Sequence, residues 1–172
     1  KKIELNLARK NIKIYDLQIF NEKNFSYPIL FSCEEISLDI TFNSIFSDLI
    51  TVDNLIFFKP IFYFEILEGS DNLNLVQKKN KNYKPKIYPK KKKDKNFIIT
   101  NLALVKPLSS LKYLDIYEYS DFKLSEMTFN NVGNSTSLGQ HYKDIFKFLL
   151  LDIYLRIPNL KVKKEIKKIY KL

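Results

Sequence analysis

Four segments of this chain share one pattern of hydrophobic and polar positions. With Leu17, Leu55, Leu102 and Met127 set in register, the segments read IKIYDLQIFNE, ITVDNLIFFKP, FIITNLALVKP and FKLSEMTFNNV. Each has apolar residues five and three positions before this central residue, another two positions after it, and Asp, Asn or Glu directly before it. The central residues are 38, 47 and 25 positions apart, so the pattern is not a solenoid of fixed period. It indicates one extended unit used repeatedly in a single sheet.

The apolar positions change side in the middle of each unit. Alternate residues of a strand face opposite sides of a sheet, so Ile50 and Val52 share one side. Leu55 and Phe57 then fall on the other side. A one-residue bulge at the polar position would bring both pairs to one concave side. The alternative is a strand that is apolar on both faces and covered on each. Four copies of the same change favour the curved sheet.

The rest of the pattern predicts a mainly β protein. Residues 108–119 read as a strand that pairs back on the third repeat, and residues 122–129 as the last strand. Pro60 cannot donate to a ladder, so it marks an edge or a bulge between two strands. We therefore predict a curved, mostly antiparallel sheet of about eight strands with a C-terminal helix packed on it.

The hydrophobic period changes from that of a strand to that of a helix near the C-terminus. From Tyr142 onward, apolar residues recur at helical spacing until Pro158 ends the helix. A second helix follows, with apolar residues on one side and lysines around it. The 172 residues suit one core. We predict a β domain with its terminal helix over residues 1–157 and a basic amphipathic helix over residues 158–172.

The net charge of +10 is concentrated in two segments. Residues 78–95 carry ten Lys and one Asp, and residues 161–171 carry six Lys and one Glu. The Lys-rich loop at 78–95 is either a basic arm for anionic lipid or nucleic acid, or a solvated connection between the strands of a hairpin. The terminal helix either lies on an anionic membrane or docks on the sheet. The candidate membrane contacts are Lys90, Lys91, Lys92, Lys93, Lys163, Lys164, Lys167 and Lys168. Because only two cations are Arg, a nucleic-acid partner is not expected.

The residues for catalysis and metal binding are scarce. The single histidine, His141, and the single cysteine, Cys33, do not form a zinc set, and no disulfide can form within the chain. Three glycines provide no phosphate-cradling loop. We therefore expect no catalytic residues, no metal and no cofactor, and predict that the protein is not an enzyme. The sequence contains no run of about 20 apolar residues, so no segment of it is expected to span a membrane as a helix.

Aromatic residues concentrate in the predicted sheet. These residues suit a closed core. They suit an open groove for acyl chains equally well, because burial of a hydrocarbon chain needs no specific hydrogen bond. Composition does not separate these two interpretations. The lipid-groove candidates are Phe57, Phe58, Phe62, Phe64, Phe97, Phe122 and Phe129.

The order of the motifs carries a resemblance to a known family. The run IKIYDLQIFNEKNF, ILFSCEEISLDITFNSIFSDLITVDNLIFFKPIFYFEILEGSDNLNLV, KNFIITNLALVKP and FNNVGN, followed by a helix, resembles the small bacterial AsmA-like envelope proteins over residues 10–155. The resemblance implies a β-rich periplasmic domain, held at the inner membrane by an N-terminal segment that this chain lacks. It implies a non-enzymatic protein that binds or conducts lipid, or supports envelope biogenesis. The alternative is a structural subunit of a larger envelope complex that docks through a sheet edge or the C-terminal helix.

Overall fold

Ten strands and two α-helices account for most of the chain that the structure describes. The computed structural model describes residues 2–21, 23, 25–67, 70–72, 95–114, 116–135 and 139–170. The strands are β1 (Lys2–Asn6), β2 (Asn11–Phe20), β3 (Ile29–Ile40), β4 (Leu49–Leu67), β5 (Ser70–Asp71), β6 (Asn96–Val105), β7 (Leu108–Tyr113), β8 (Tyr117–Lys123), β9 (Met127–Gly133) and β10 (Gln140–His141). The helices are a 3₁₀ helix (Phe42–Phe46), α1 (Tyr142–Arg156) and α2 (Leu160–Tyr170). The predicted Lys-rich loop lies outside the described residues except for Lys95.

Most neighbouring strands run antiparallel. Strands β1 to β4 pair in sequence, β5 pairs with the end of β4, β6 pairs with β9, and β7 pairs with β8. The parallel pairs are β4 with β6, β4 with β7, and β9 with β10. The sheet is not closed on itself, and both α-helices pack on one face, which we call the inner face. The predicted mainly β fold with a C-terminal helical layer is confirmed.

The longest strand, β4, runs through the middle of the sheet and bends at Lys59-Pro60. Its two halves pair with β6 and β7 in one register, in which each residue lies opposite the residue 47 positions later. Strand β7 therefore continues β6 across Lys106-Pro107, directly beside the bend in β4. Both lysines have positive φ, 48° and 51°. The backbone turns at each of these lysines, and the proline that follows has no N–H to donate to the hydrogen-bond ladder.

Three predictions about this region are wrong. Residues 108–119 do not form one strand pairing back on the third repeat, because β7 runs on beside β4 and only β8 reverses. Residues 122–129 are likewise interrupted at positions 124–126, opposite the bend in the neighbouring strands. Pro60 marks neither an edge nor a bulge between two strands, because it lies inside the continuous central strand β4 and pairs with Cys33 without a shift in register. Positive φ at Lys59 lets the strand bend there.

The predicted change of side within a repeat is confirmed in β4 and β6. Val52 lies before the change and Leu55 after it, yet both pack into the same core. Asp53 makes this possible, because it is a bulged residue without a paired position on β3. In β6, Ile99 and Leu102 likewise pack into one core. In these two copies the repeated unit thus keeps its apolar residues on the inner face.

Polar side chains join four strands across the opposite face of the sheet. The Asn11 amide donates to Asp39 Oδ1 at 2.6 Å, and the Asn54 amide donates to Asp39 Oδ2 at 3.0 Å. The Asn101 amide donates to Asn54 Oδ1 at 3.2 Å. Asn54 and Asn101 are the polar residues directly before the central residue of repeats two and three. Their position in the repeat is therefore explained by cross-strand hydrogen bonds that fix the register.

The two α-helices bury their apolar sides against the inner face. Helix α1 contributes Leu149, Leu150 and Ile153 to the core, and α2 contributes Val162 and Ile166. The apolar side of α2 is therefore docked within the protein, as one of the two alternatives for this helix predicted. In the described part of the chain, neither helix has the length and hydropathy needed to cross a bilayer.

Candidate functional site

The candidate site is an apolar groove between the inner face of the sheet and the first half of α1. Its volume is about 360 Å³, within the range of small-molecule sites. We call it the apolar groove. Its lining residues are Ile19, Phe31, Phe57, Phe62, Leu102 and Leu104 from the sheet and Tyr142, Ile145, Phe146 and Leu149 from α1. Apart from the Tyr142 hydroxyl, these side chains are hydrocarbon. The groove therefore suits an alkyl chain and offers little to orient a polar ligand.

Three of the four repeats line the apolar groove at equivalent positions. Ile19, Phe57 and Leu104 each follow the central residue of their repeat by two positions. Phe57 and Leu104 lie opposite each other in neighbouring strands. A single row of apolar residues crosses the sheet from β1 to β9: Ile3, Ile14, Ile36, Phe57, Leu104 and Met127. Phe57 and Leu104 of this row line the groove, and Ile19, Phe31 and Phe62, which pair in turn across β2, β3 and β4, form a second row beside them.

Aromatic rings form one wall of the apolar groove. The ring centroid of Phe31 lies 5.2 Å from that of Phe62 and 6.3 Å from that of Phe57, the latter pair edge to face. On the helix, the Phe146 ring lies 6.2 Å from Phe64, which is buried behind the groove. These separations are those of favourable aromatic pairs, so the wall is held in place by its own packing.

The structure brings together only part of the predicted aromatic set. Phe57 and Phe62 line the apolar groove, and Phe64 lies behind it. Phe97 packs on Tyr142 at the start of α1, with ring centroids 6.1 Å apart. Six of the seven candidates belong to the core or pack against it, so they share one face of the sheet.

The other predicted aromatic residues lie away from the apolar groove. Phe129 packs on Phe148 of α1, with ring centroids 5.8 Å apart, and Phe122 lies near the C-terminal end of that helix. Phe58 faces the opposite side of the sheet, since adjacent strand residues alternate. There the ammonium groups of Lys59 and Lys106 lie 5.2 and 5.4 Å from its ring centroid. Phe58 is therefore in contact with cations and not with the groove.

Sequence reasoning missed most of the groove. The strand residues missed are Ile19, Phe31, Leu102 and Leu104, and the helix residues missed are Tyr142, Ile145, Phe146 and Leu149. The repeat alignment held a usable signal, because Ile19 and Leu104 occupy the same repeat position as Phe57. The helix residues carried no such signal, since the pairing of a helix with particular strands is a non-local property.

Some of the predicted lysine contacts lie within the described residues and some lie outside them. Lys90, Lys91, Lys92 and Lys93 lie outside the described residues. On α2, Lys164, Lys167 and Lys168 are exposed, while Lys163 is half-buried with its ammonium 5.3 Å from the Tyr154 ring centroid. The exposed lysines therefore lie on the side of α2 that faces away from the core.

The buried carboxylate of Glu65 has structural partners. Glu65 accepts hydrogen bonds from the backbone N–H of Ser26 at 2.9 Å and of Tyr27 at 3.1 Å, which ties the β2–β3 loop to β4.

Burial raises the pKa of the Cys33 thiol to about 11, so little reactive thiolate exists at neutral pH. Within the described residues, no three His, Cys, Asp or Glu side chains are placed to hold a metal ion.

No protein-family model, curated protein or solved structure matches this chain. The resemblance to AsmA-like envelope proteins therefore stays a prediction. The function is argued below from the residues of the chain itself.

Proposed function

We propose that this protein binds the hydrocarbon chain of a lipid in the apolar groove and catalyses no reaction. The observation that carries the proposal is the composition of the groove, whose ten lining side chains are all apolar or aromatic. The AsmA-like resemblance adds an expected setting, in which the protein lies in the periplasm and binds or conducts lipid for the cell envelope.

The physical basis of binding is removal of methylene groups from water. Each buried CH₂ contributes about 0.8 kcal/mol, so burial of about ten methylenes contributes about 8 kcal/mol, comparable to the free energy of micromolar binding. A volume of about 360 Å³ is near the lower end of the range for ligand sites, which favours one chain of an amphiphile over two. The polar headgroup would then remain in water, outside the groove.

A charge at the rim of the apolar groove is expected to weaken binding. Ile19 lines the groove and is 46% exposed, so Ile19→Asp changes the wall without opening a cavity in the core. We expect at least a tenfold loss of affinity, about 1.4 kcal/mol, because the carboxylate prevents burial of nearby methylenes. The measurement is titration of the full chain with a fluorescent fatty acid.

The matched control is Phe46→Asp, which also replaces an exposed apolar side chain by a carboxylate but lies on the 3₁₀ helix and not in the groove. It should bind the fatty acid as the unchanged protein does. Equal losses in the two variants, or no binding by the unchanged protein, would count against the proposal. Mass spectrometry of a solvent extract of the purified protein gives an independent test, in which a co-purifying lipid is expected.

A second candidate function, a structural subunit that assembles through a sheet edge, is favoured by β1. This strand lies at the edge of the sheet and carries exposed Ile3 and Leu5 on its inner face. Such an edge can pair with a strand of another chain. If it does so between copies, sedimentation velocity should detect dimers that Ile3→Lys with Leu5→Lys removes while fatty-acid binding persists. A monomer at every concentration would argue against assembly between copies.

A further inference from the structure

Helix α1 carries apolar residues on a second side, opposite the one that packs in the core. Phe148, Leu151 and Leu155 lie there and are 49%, 43% and 63% exposed, with one side of the Phe148 ring against Phe129 of the sheet. Their spacing of three and four residues places them on one face. Leu160, the first residue of α2, is 74% exposed. We call these four residues the exposed stripe. The solvent-facing side of a helix is normally polar, so the exposed stripe is a candidate interaction surface.

Lysines of α2 lie beside the exposed stripe. The Lys163 ammonium lies 3.5 Å from the backbone carbonyl oxygen of Leu155. The side of α2 that carries Lys163 therefore lies next to the end of the exposed stripe. Lys164 and Lys167 are exposed and follow Leu160 at helical spacing, so all three share one side of α2. Helix α2 holds five Lys and one Glu. The exposed stripe is therefore bordered by positive charge.

The combination fits one partner chemistry better than others. Apolar side chains that project from a helix insert at the boundary between headgroups and acyl chains, and adjacent lysines are attracted to anionic headgroups. Lysine acts as a flexible point charge suited to diffuse attraction, whereas forked recognition of a particular carboxylate or phosphate favours arginine. In α2 every cation is lysine. A membrane presents this diffuse negative charge over a wide area.

We propose that the exposed stripe and the neighbouring lysines Lys163, Lys164 and Lys167 form a docking surface for an anionic lipid membrane. The surface is separate from the apolar groove, whose lining residues lie on the core side of α1. The apolar side of α2 stays in the protein core, and the membrane contacts come from its lysines and from α1. The proposal goes beyond lipid binding in the groove and stands without it.

Vesicle co-sedimentation with the full chain tests the proposal. The unchanged protein should bind vesicles of phosphatidylcholine mixed with phosphatidylglycerol, bind phosphatidylcholine alone weakly, and lose binding as salt is raised. Leu151→Ser with Leu155→Ser should weaken binding at least tenfold, and Lys164→Glu with Lys167→Glu should remove the preference for phosphatidylglycerol. Ile45→Ser with Phe46→Ser, an equal loss of exposed apolar residues on the 3₁₀ helix, should leave vesicle binding unchanged. Ile19→Asp should also bind vesicles normally, which separates this surface from the groove.

A second measurement does not depend on removing apolar residues. The chain contains no tryptophan, so Leu151→Trp places a single fluorescent reporter in the exposed stripe. Its emission should shift to the blue when phosphatidylglycerol vesicles are added, while Phe46→Trp should not respond. Absence of the shift, or vesicle binding that both stripe and lysine variants retain, would overturn the proposal. The proposal would also be overturned if the exposed stripe mediates dimerisation. In that case Leu151→Ser would dissociate the dimers, and adding vesicles would not change the dimer population.

Discussion

Replacing Ile166 by alanine is expected to lower the free energy of unfolding by about 2–5 kcal/mol, the range for truncation of a buried aliphatic side chain. Ile166 lies on α2 and is 1% exposed. It packs around a small space of about 10 Å³ that Leu111 and Ile153 also line, so truncation enlarges an existing gap. The measurement is urea denaturation followed by circular dichroism.

The control is Lys164→Ala, which changes an exposed residue of the same helix. It should stay within about 0.5 kcal/mol of the unchanged protein. If both variants are equally stable, α2 is not docked on the sheet in solution. The apolar side of α2 would then be exposed. That result would favour the other prediction for this helix, in which it lies on an anionic membrane.

Replacing Glu65 by alanine should cost about 3 kcal/mol of stability, because hydrogen bonds to a charged group contribute about 1.5–3 kcal/mol each. The Glu65 carboxylate is buried and accepts from two consecutive backbone N–H groups, those of Ser26 and Tyr27. Without it these donors lose their acceptor, and the β2–β3 loop loses its link to β4. Urea denaturation measures the loss, and hydrogen exchange at the two amides locates it.

Glu34→Ala is the matched control for this position. Glu34 lies on the neighbouring strand, and its carboxylate is 2.6 Å from the Lys59 ammonium, but both side chains are about half exposed. Exposed ion pairs contribute about 0–1 kcal/mol, so a small effect is expected. Comparable losses for Glu34 and Glu65, or unchanged exchange at Ser26 and Tyr27, would show that the buried carboxylate does not hold the loop.

The candidate site shows which residues of the core and the apolar groove the repeat pattern predicts. The spacing of apolar residues in the repeats indicates that Val52 and Leu55 belong to one face once a bulge separates them, and the structure places both in the core. The concentration of aromatic residues in the sheet placed Phe58 with Phe57 among the groove candidates, although the two point to opposite sides of β4. Counting aromatic residues ignores the alternation, whereas the repeat position leads to Ile19 and Leu104.

The sequence by itself determined that the chain is mainly β, where the apolar residues change side in β4 and β6, and where the helical layer begins. These features follow from spacings within a few residues, which are local. Only the tertiary structure decided that β7 continues β6, that Lys59-Pro60 and Lys106-Pro107 bend side by side, and that α1 leaves a groove near Ile19 and Phe31. Those features depend on register between strands distant in the chain and on how a helix seats on them, and no local pattern encodes either.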